Sequence, residues 1–265
     1  MKVIQSQDNS WFKELVKLAG SARQRNKTGQ TLLDGTHLLA AYLDAGHIPQ
    51  HILLNASALH DPQISLLLDR LGGVPVTRLD DRLFAKLSEL KTPTSILALI
   101  DILQPQVAMH SRFALLLEDI QDPGNLGSIL RSAAAAGCDA VFLSQGCADA
   151  WSPKVLRAAM GGHFALDIYP QQDLLNIAKA FTGSLLATSP QASTSLYNCD
   201  LRGDVAVMVG NEGAGLSAQL SSLATQTIHI PMVGKVESLN VAAATAICLF
   251  EVVRQRSTGI QENTC

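Results

Sequence analysis

The last third of the chain carries two strand–loop–helix units back to back: VAVMVGNEGAGLS from Val205 to Ser217, then TIHIPMVGKVESLNVAAATAICLF from Thr227 to Phe250. Each runs an apolar strand into a glycine-bearing loop and then into a helix. Turns of this kind let backbone groups close around a small ligand. They commit this part of the chain to an α/β fold whose ligand sits at the C-terminal ends of the strands.

The first loop also satisfies a dinucleotide fingerprint through Gly213, Gly215 and Ala218. Asn211 and Glu212, however, separate the strand from the first of those glycines, where a tight turn is wanted. The next strand, TIHIP, ends in proline instead of an acid for a ribose hydroxyl, and Glu212 would repel a pyrophosphate. A nicotinamide cofactor is therefore disfavoured. In the second loop, Ser238 is placed as the N-cap of a helix beginning at Leu239, with Arg254 and Arg256 complementing the far end and Gly259 as a stop. That helix is apolar on nearly every face and needs cover on nearly every side. A plain core helix and a symmetric homodimer both meet that need.

At 265 residues the chain has room for two modest domains, and 47% hydrophobic against 16% charged residues describes a compact fold. The N-terminus lacks the apolar core of a signal peptide, and Val241–Phe250 is too short to span a bilayer, so a soluble, cytoplasmic protein with no membrane partner is expected. Cys138, Cys147, Cys199, Cys248 and Cys265 form no Cys-x-x-Cys pair and have no nearby histidine, which suggests neither a metal site nor a disulfide framework. A net charge of -3 argues against coating nucleic acid by bulk attraction, but not against a local basic surface. Among the first 35 residues, Lys2, Lys13, Lys17, Arg23, Arg25 and Lys27 face only Asp8, Glu14 and Asp34. SARQRNKTGQ reads as a flexible basic loop, either simply solvated or in contact with phosphate.

A boundary falls at Gln104-Pro105-Gln106. Before it, helices around Trp11–Ala19, Thr36–Gly46, Pro62–Leu71 and Asp81–Leu90 alternate with the strands TLLDG, HILLN, VPVTRL and SILALI, giving a small α/β domain. After it, ALLLE, AVFLS, FALDIY, LLATS, VAVMVG and TIHIP are continuous apolar runs, as in a mainly parallel sheet buried on both faces. Helices are expected at Asn125–Ala136, Pro153–Met160, Asp173–Phe181, Leu216–Leu223 and Leu239–Arg256. In the first of these, Asn125 is placed as the N-cap, and Leu126, Ile129, Leu130, Ala133 and Ala134 form one stripe. Arg131 projects away from the stripe, either solvated or offering a planar donor fork to a phosphate or ribose.

Glu118 followed by NLGSILRSAAAAG, then VGNEGAGLS, then IPMVGKVESLNVAAATAI resemble the three motifs of the SpoU (TrmH-like) RNA ribose 2′-O-methyltransferases of the SPOUT superfamily. The resemblance covers residues 111 to 256, and WSPKVLRAAMGGHFALDI is similar to the family's connecting segment. TLLDGTHLLAAYLDAG and LSELKTPTSILALI resemble an L30e-like RNA-binding domain, with Ser95 where that family often has glycine.

The resemblance implies residues 1–104 as an L30e-like RNA-binding domain and 111–265 as a SPOUT-type α/β-knot catalytic domain. It further implies S-adenosylmethionine held in a C-terminal trefoil knot, a homodimer, and an RNA substrate, with ribosomal RNA favoured over transfer RNA. By motif position, backbone around Val209, Gly210, Ile230, Met232 and Leu239 holds the cofactor, Glu212 and Ser238 line the site, and Asn125, Arg131 and Asn240 face the ribose. A guanidinium with a pKa above about 12 is a poor proton acceptor, so Arg131 is expected to bind the target phosphate and stabilise a developing alkoxide. The alternative is a non-catalytic RNA-binding or ribosome-assembly factor with the same fold. The polar motif groups are all present, which favours an enzyme.

Overall fold

The computed structural model describes residues 2–88, 94–105 and 111–261. They divide into two compact units, one of Met1–Leu103 with Trp151–Phe164, the other of Gln104–Ala150 with Ala165–Cys265. The sequence division put Trp151–Phe164 in the second domain; in the structure this segment packs with the first.

The first unit contains β1 (Lys2–Ile4), α1 (Ser10–Gly20), α2 (Ala22–Thr28), β2 (Gln30–Asp34), α3 (Thr36–Asp44), β3 (His51–Leu54), α4 (Pro62–Asp69), β4 (Val76–Leu79), α5 (Asp81–Phe84) and β5 (Ile96–Asp101). Its mixed sheet runs β1-β4-β3-β5-β2, with β5 antiparallel to both neighbours. Phe12, Leu15, Leu18, Leu32, Leu53, Phe84 and Leu97 belong to its core. The inserted helix α7 (Pro153–Ala159) packs beside β2, where the Thr31 hydroxyl donates to Trp151 O at 2.7 Å.

The stretch expected to be a flexible loop is helical. Ser21 caps α2 by accepting from Gln24 N–H, Gly29 closes it at φ 66°, and Arg, Gln and Lys are good helix formers. Arg25 is not a phosphate ligand but is buried, donating to Leu18 O and Ala19 O at 2.7 and 2.8 Å, the free carbonyls at the end of α1. Lys17, Arg23 and Lys27 remain exposed. The helix expected over Asp81–Leu90 spans only Asp81–Phe84, and Leu90 lies outside the described residues.

The second unit contains β6 (Phe113–Leu117), α6 (Pro123–Ala136), β7 (Ala140–Leu143), β8 (Asp167–Tyr169), α8 (Leu174–Ala180), β9 (Ser184–Thr188), β10 (Thr194–Ser195), β11 (Val205–Val209), α9 (Ala218–Ser221), β12 (Gln226–His229) and α10 (Val241–Gln261). All seven strands pair in parallel, in the order β10-β12-β9-β11-β6-β7-β8. Every residue of β6 and β11 is buried, as expected for central parallel strands. Leu126, Ile129, Leu130 and Ala133 of α6 are fully buried, and α10 packs against α6.

Strand order reverses between β6 and β11. The chain steps outward from β6 through β7 to β8, then returns on the far side of β11, and ligands of open α/β sheets bind in the crevice such a reversal opens. Several helix ends differ from the sequence expectation. Asp122, not Asn125, caps α6, because Pro123 fits the first helical turn and the Asp122 carboxylate reaches Asn125 N–H. FALDIY is a strand only from Asp167, after a 3-10 turn over Gly162–Ala165. α10 runs through Gly259 to Gln261, so Gly259 does not stop it. Arg254 instead pairs with Glu251 at 2.8 Å, and Arg256 donates to Arg112 O and Gly203 O.

Candidate active site

The loops after β6, β11 and β12 meet through one directed chain of hydrogen bonds. Asn240 Oδ1 accepts from the N–H groups of Ala242 (2.9 Å) and Ala243 (3.3 Å), so Asn240, not Ser238, caps α10. The helix begins two residues later than the sequence suggested because Asn240 can reach those amides while its own carbonyl accepts from Ala244. With Oδ1 committed, Asn240 Nδ2 donates to Asn125 Oδ1 at 2.9 Å. Asn125 Nδ2 in turn donates to Glu212 Oε1 at 3.0 Å. The backbone amides at one end therefore fix both side-chain amide orientations, and the chain must finish on an acceptor, which the Glu212 carboxylate is.

Freed from capping, Asn125 lies on the first turn of α6 with its side chain in this network. Arg131 is exposed, and its guanidinium has no hydrogen bond or ion pair among the described residues, so its five donors are available. Ser238 is exposed and likewise uncommitted among those residues. Asn125, Glu212 and Asn240 are thus brought into contact; Arg131 and Ser238 are not joined to them by any hydrogen bond.

Asn211 shapes the loop after β11. It pairs with Gly215 through both backbone groups, and its Oδ1 accepts from Gly213 N–H (2.9 Å) and Ala214 N–H (3.0 Å). Those amides would face a pyrophosphate in a dinucleotide site; here they are consumed within the loop, and no long helix follows. Gly210 is required because a Cβ there would collide with the backbone of Gly215 and Leu216. Sequence reasoning used Asn211 only against a dinucleotide turn and Glu118 only as the opening of the first motif, although the Asn-x-Gly spacing is a turn signal in its own right.

The residues expected around a cofactor divide between a buried strand end and an exposed loop. Val209 and Gly210 are buried at the strand end and Ile230 is half-buried. Every residue from Pro231 to Asn240 is exposed, Met232 and Leu239 at 37% each. Backbone amides from Met232 to Leu239 donate to no described residue. Among the described residues no cluster of three or more His, Cys, Asp or Glu could hold a metal ion, and no helix is long and apolar enough to cross a membrane. Burial pushes the thiols of Cys138 and Cys248 up to about 12 and raises those of Cys147 and Cys199, so none of the four is poised as a nucleophile.

Three motif segments joined at a strand-order reversal define the class: an open parallel α/β protein with its candidate site at the switch point. Residues 112–250 match the SpoU rRNA Methylase family, and residues 9–98 match the MRM3-like substrate binding domain. The chain belongs to the SpoU rRNA methylase family. It is 36% identical to an uncharacterized tRNA/rRNA methyltransferase of Synechocystis sp., over 96% of this chain and 94% of that one. It is 33% identical to the 23S rRNA (guanosine(2553)-2'-O)-methyltransferase RlmP of Bacillus subtilis, over 95% and 99%. The crystal structure of the SpoU methyltransferase AviRb from Streptomyces viridochromogenes with AdoMet superposes with a TM-score of 0.82 at 25% identity, covering 95% of this chain and all of that one.

Proposed function

We propose that this protein transfers a methyl group from S-adenosylmethionine to a ribose 2′-hydroxyl in structured RNA, ribosomal RNA in preference to transfer RNA. The observation that carries the reading is the directed chain from the α10 amides through Asn240 and Asn125 to Glu212, which ties all three family motifs into one site. Backbone around Val209, Gly210, Ile230, Met232 and Leu239 would hold the cofactor, which supplies an electrophilic methyl group on sulfonium. Glu212 and Ser238 line the site, and Asn125, Arg131 and Asn240 face the ribose.

A ribose hydroxyl is a weak nucleophile while protonated, so much of the acceleration must come from alignment. Asn125 contributes a rigid amide whose direction is set before substrate arrives. Arg131 binds the target phosphate and stabilises charge developing on the 2′-oxygen, and phosphate or water assists proton removal. The loops after β11 and β12 with α10 form a C-terminal trefoil knot in this reading. A homodimer covers the apolar positions that α10 and its leading loop leave exposed, among them Val233, Val236 and Phe250. Residues 1–104 form an L30e-like RNA-binding domain ahead of a catalytic domain at 111–265. Lys17, Arg23 and Lys27 on α1 and α2 offer phosphate contacts, and the protein works in the cytoplasm.

Purified protein, ribosomal RNA and labelled cofactor test the proposal, followed by mapping of the modified nucleotide. Label on a 2′-oxygen is expected; label on a base, or RNA binding with no transfer, would refute it. The role of Arg131 fails if Arg131→Lys turns over normally while Asn125→Ala is inactive.

A further inference from the structure

From the geometry at the end of β6 we infer that Glu118 is a positioning residue for the reaction, acting through the loop that carries Glu212. It rests on the methyltransferase reading above. Glu118 is half-buried and grips both ends of that loop. Its backbone N–H donates to Val209 O at 2.9 Å, where the loop leaves β11. Its carboxylate accepts from Ser217 N–H at 2.6 Å, where the loop enters α9. The next residue holds the middle: Asp119 O accepts from Asn211 Nδ2 at 2.9 Å.

Two adjacent residues can serve one loop this way because Asp119 turns the backbone at φ 54°, a left-handed conformation that aspartate tolerates better than most side chains. The turn is itself pinned. Ser144 Oγ accepts from Asp119 N–H at 2.9 Å and donates to Asp119 Oδ1 at 2.6 Å. The anchor is therefore a braced corner between β6 and β7, and the loop is the part it holds. Within the loop, Asn211 closes on Gly215 and leaves Glu212 projecting at the tip, where Asn125 meets it. Releasing Ser217 frees one end of the span that sets where the Glu212 carboxylate stands. Ser217 Oγ accepts from Leu220 N–H, so Glu118 takes the one amide of the α9 cap, Ser217 N–H, that the cap's own hydroxyl does not satisfy.

The experiment is a double-mutant cycle in single-turnover methyl transfer to ribosomal RNA, combining Glu118→Ala with Glu212→Ala, together with Glu118→Gln. Glu118→Ala is expected to slow transfer about tenfold, the scale of losing one hydrogen bond to a charged group. Glu118→Gln keeps an oxygen that can accept from Ser217 and should recover to within about threefold of the parent. In the Glu212→Ala background, Glu118→Ala should add less than about twofold, because its effect is spent on a carboxylate no longer there. A further tenfold loss in that background, or a glutamine variant as impaired as the alanine variant, would overturn the inference. Amide exchange of the 210–217 peptide is the independent arm. It should quicken in Glu118→Ala with the rest of the unit unchanged, and unchanged exchange there overturns the clamp. If Glu212→Ala alone transfers methyl normally, the catalytic reading of Glu212 is at fault, and the exchange result still decides whether Glu118 holds the loop.

Discussion

Replacing Asn240 by alanine or by aspartate should separate stability from activity. Alanine removes the cap of α10, worth about 1 kcal/mol, and the hydrogen bond to Asn125, worth about 1 kcal/mol more. At roughly 2–4 °C per kcal/mol for a unit of this size, the melting temperature should fall by about 4–8 °C. Aspartate keeps the acceptors for Ala242 and Ala243 and places negative charge at the positive end of the helix, so its stability should stay near that of the parent. It cannot, however, donate to Asn125. Its oxygens would face Asn125 Oδ1, and the only relief is for the Asn125 amide to rotate, which turns Oδ1 toward Glu212. With the amide rotated Glu212 loses its donor, a bond to a charged group worth about 1.5–3 kcal/mol, or roughly 10- to 150-fold in rate if it is fully used in the reaction. Thermal melting and single-turnover methyl transfer measured on both variants are the assay. Asn240→Asp should melt above Asn240→Ala yet transfer methyl at least about tenfold more slowly than the parent. An aspartate variant with parental turnover, or one that melts no higher than the alanine variant, would refute the directed-chain argument.

Three further outcomes follow from the same structure. The triple variant Lys17→Ala, Arg23→Ala, Lys27→Ala should bind ribosomal RNA more weakly, with the slope of log affinity against log salt reduced by about 2 if all three contact phosphate; cofactor affinity by calorimetry should not change, and an unaltered slope would remove α1 and α2 from the RNA surface. Arg25→Ala should destabilise the first unit by about 1–3 kcal/mol by leaving the Leu18 and Ala19 carbonyls without their donor, read as a lower melting temperature with the salt slope intact. Stability should also fall with alkali: Cys138 and Cys248 are raised from 9.0 to about 12 by burial, so their stabilisation is full below pH 9. Between about 9 and 12 the unfolded chain loses these protons and the folded one does not, which costs about 1.4 kcal/mol per thiol per pH unit. Denaturant titrations across that range should show the loss shrinking in Cys138→Ala and Cys248→Ala.

Local pattern was enough to read most of the second unit from its residues. Continuous apolar runs became the parallel strands, the Leu126–Ala133 stripe became the buried face of α6, and Arg131 stands off that stripe as its spacing required. These features depend on period and burial, which neighbouring residues encode. The motif segments likewise resembled a family to which the chain belongs. Caps were another matter. Asn125 and Ser238 were both plausible caps on residue type, but helix entry is settled within one or two residues by which side chain can reach a free amide. Asp122 and Asn240 can. SARQRNKTGQ misled for a related reason, since only packing could show that Arg25 turns inward to the end of α1 and makes a helix of an apparent loop. The site itself was decided by tertiary structure. Asn125 meets Glu212 across 87 residues, Asn240 meets Asn125 across 115, and Glu118 meets Ser217 across 99. Sequence by itself determined which residue types stand at the ends of which strands; the order in which parallel strands stack, with its reversal between β6 and β11, determined which of them touch, because a hydrogen bond needs a separation of about 3 Å that no local pattern specifies.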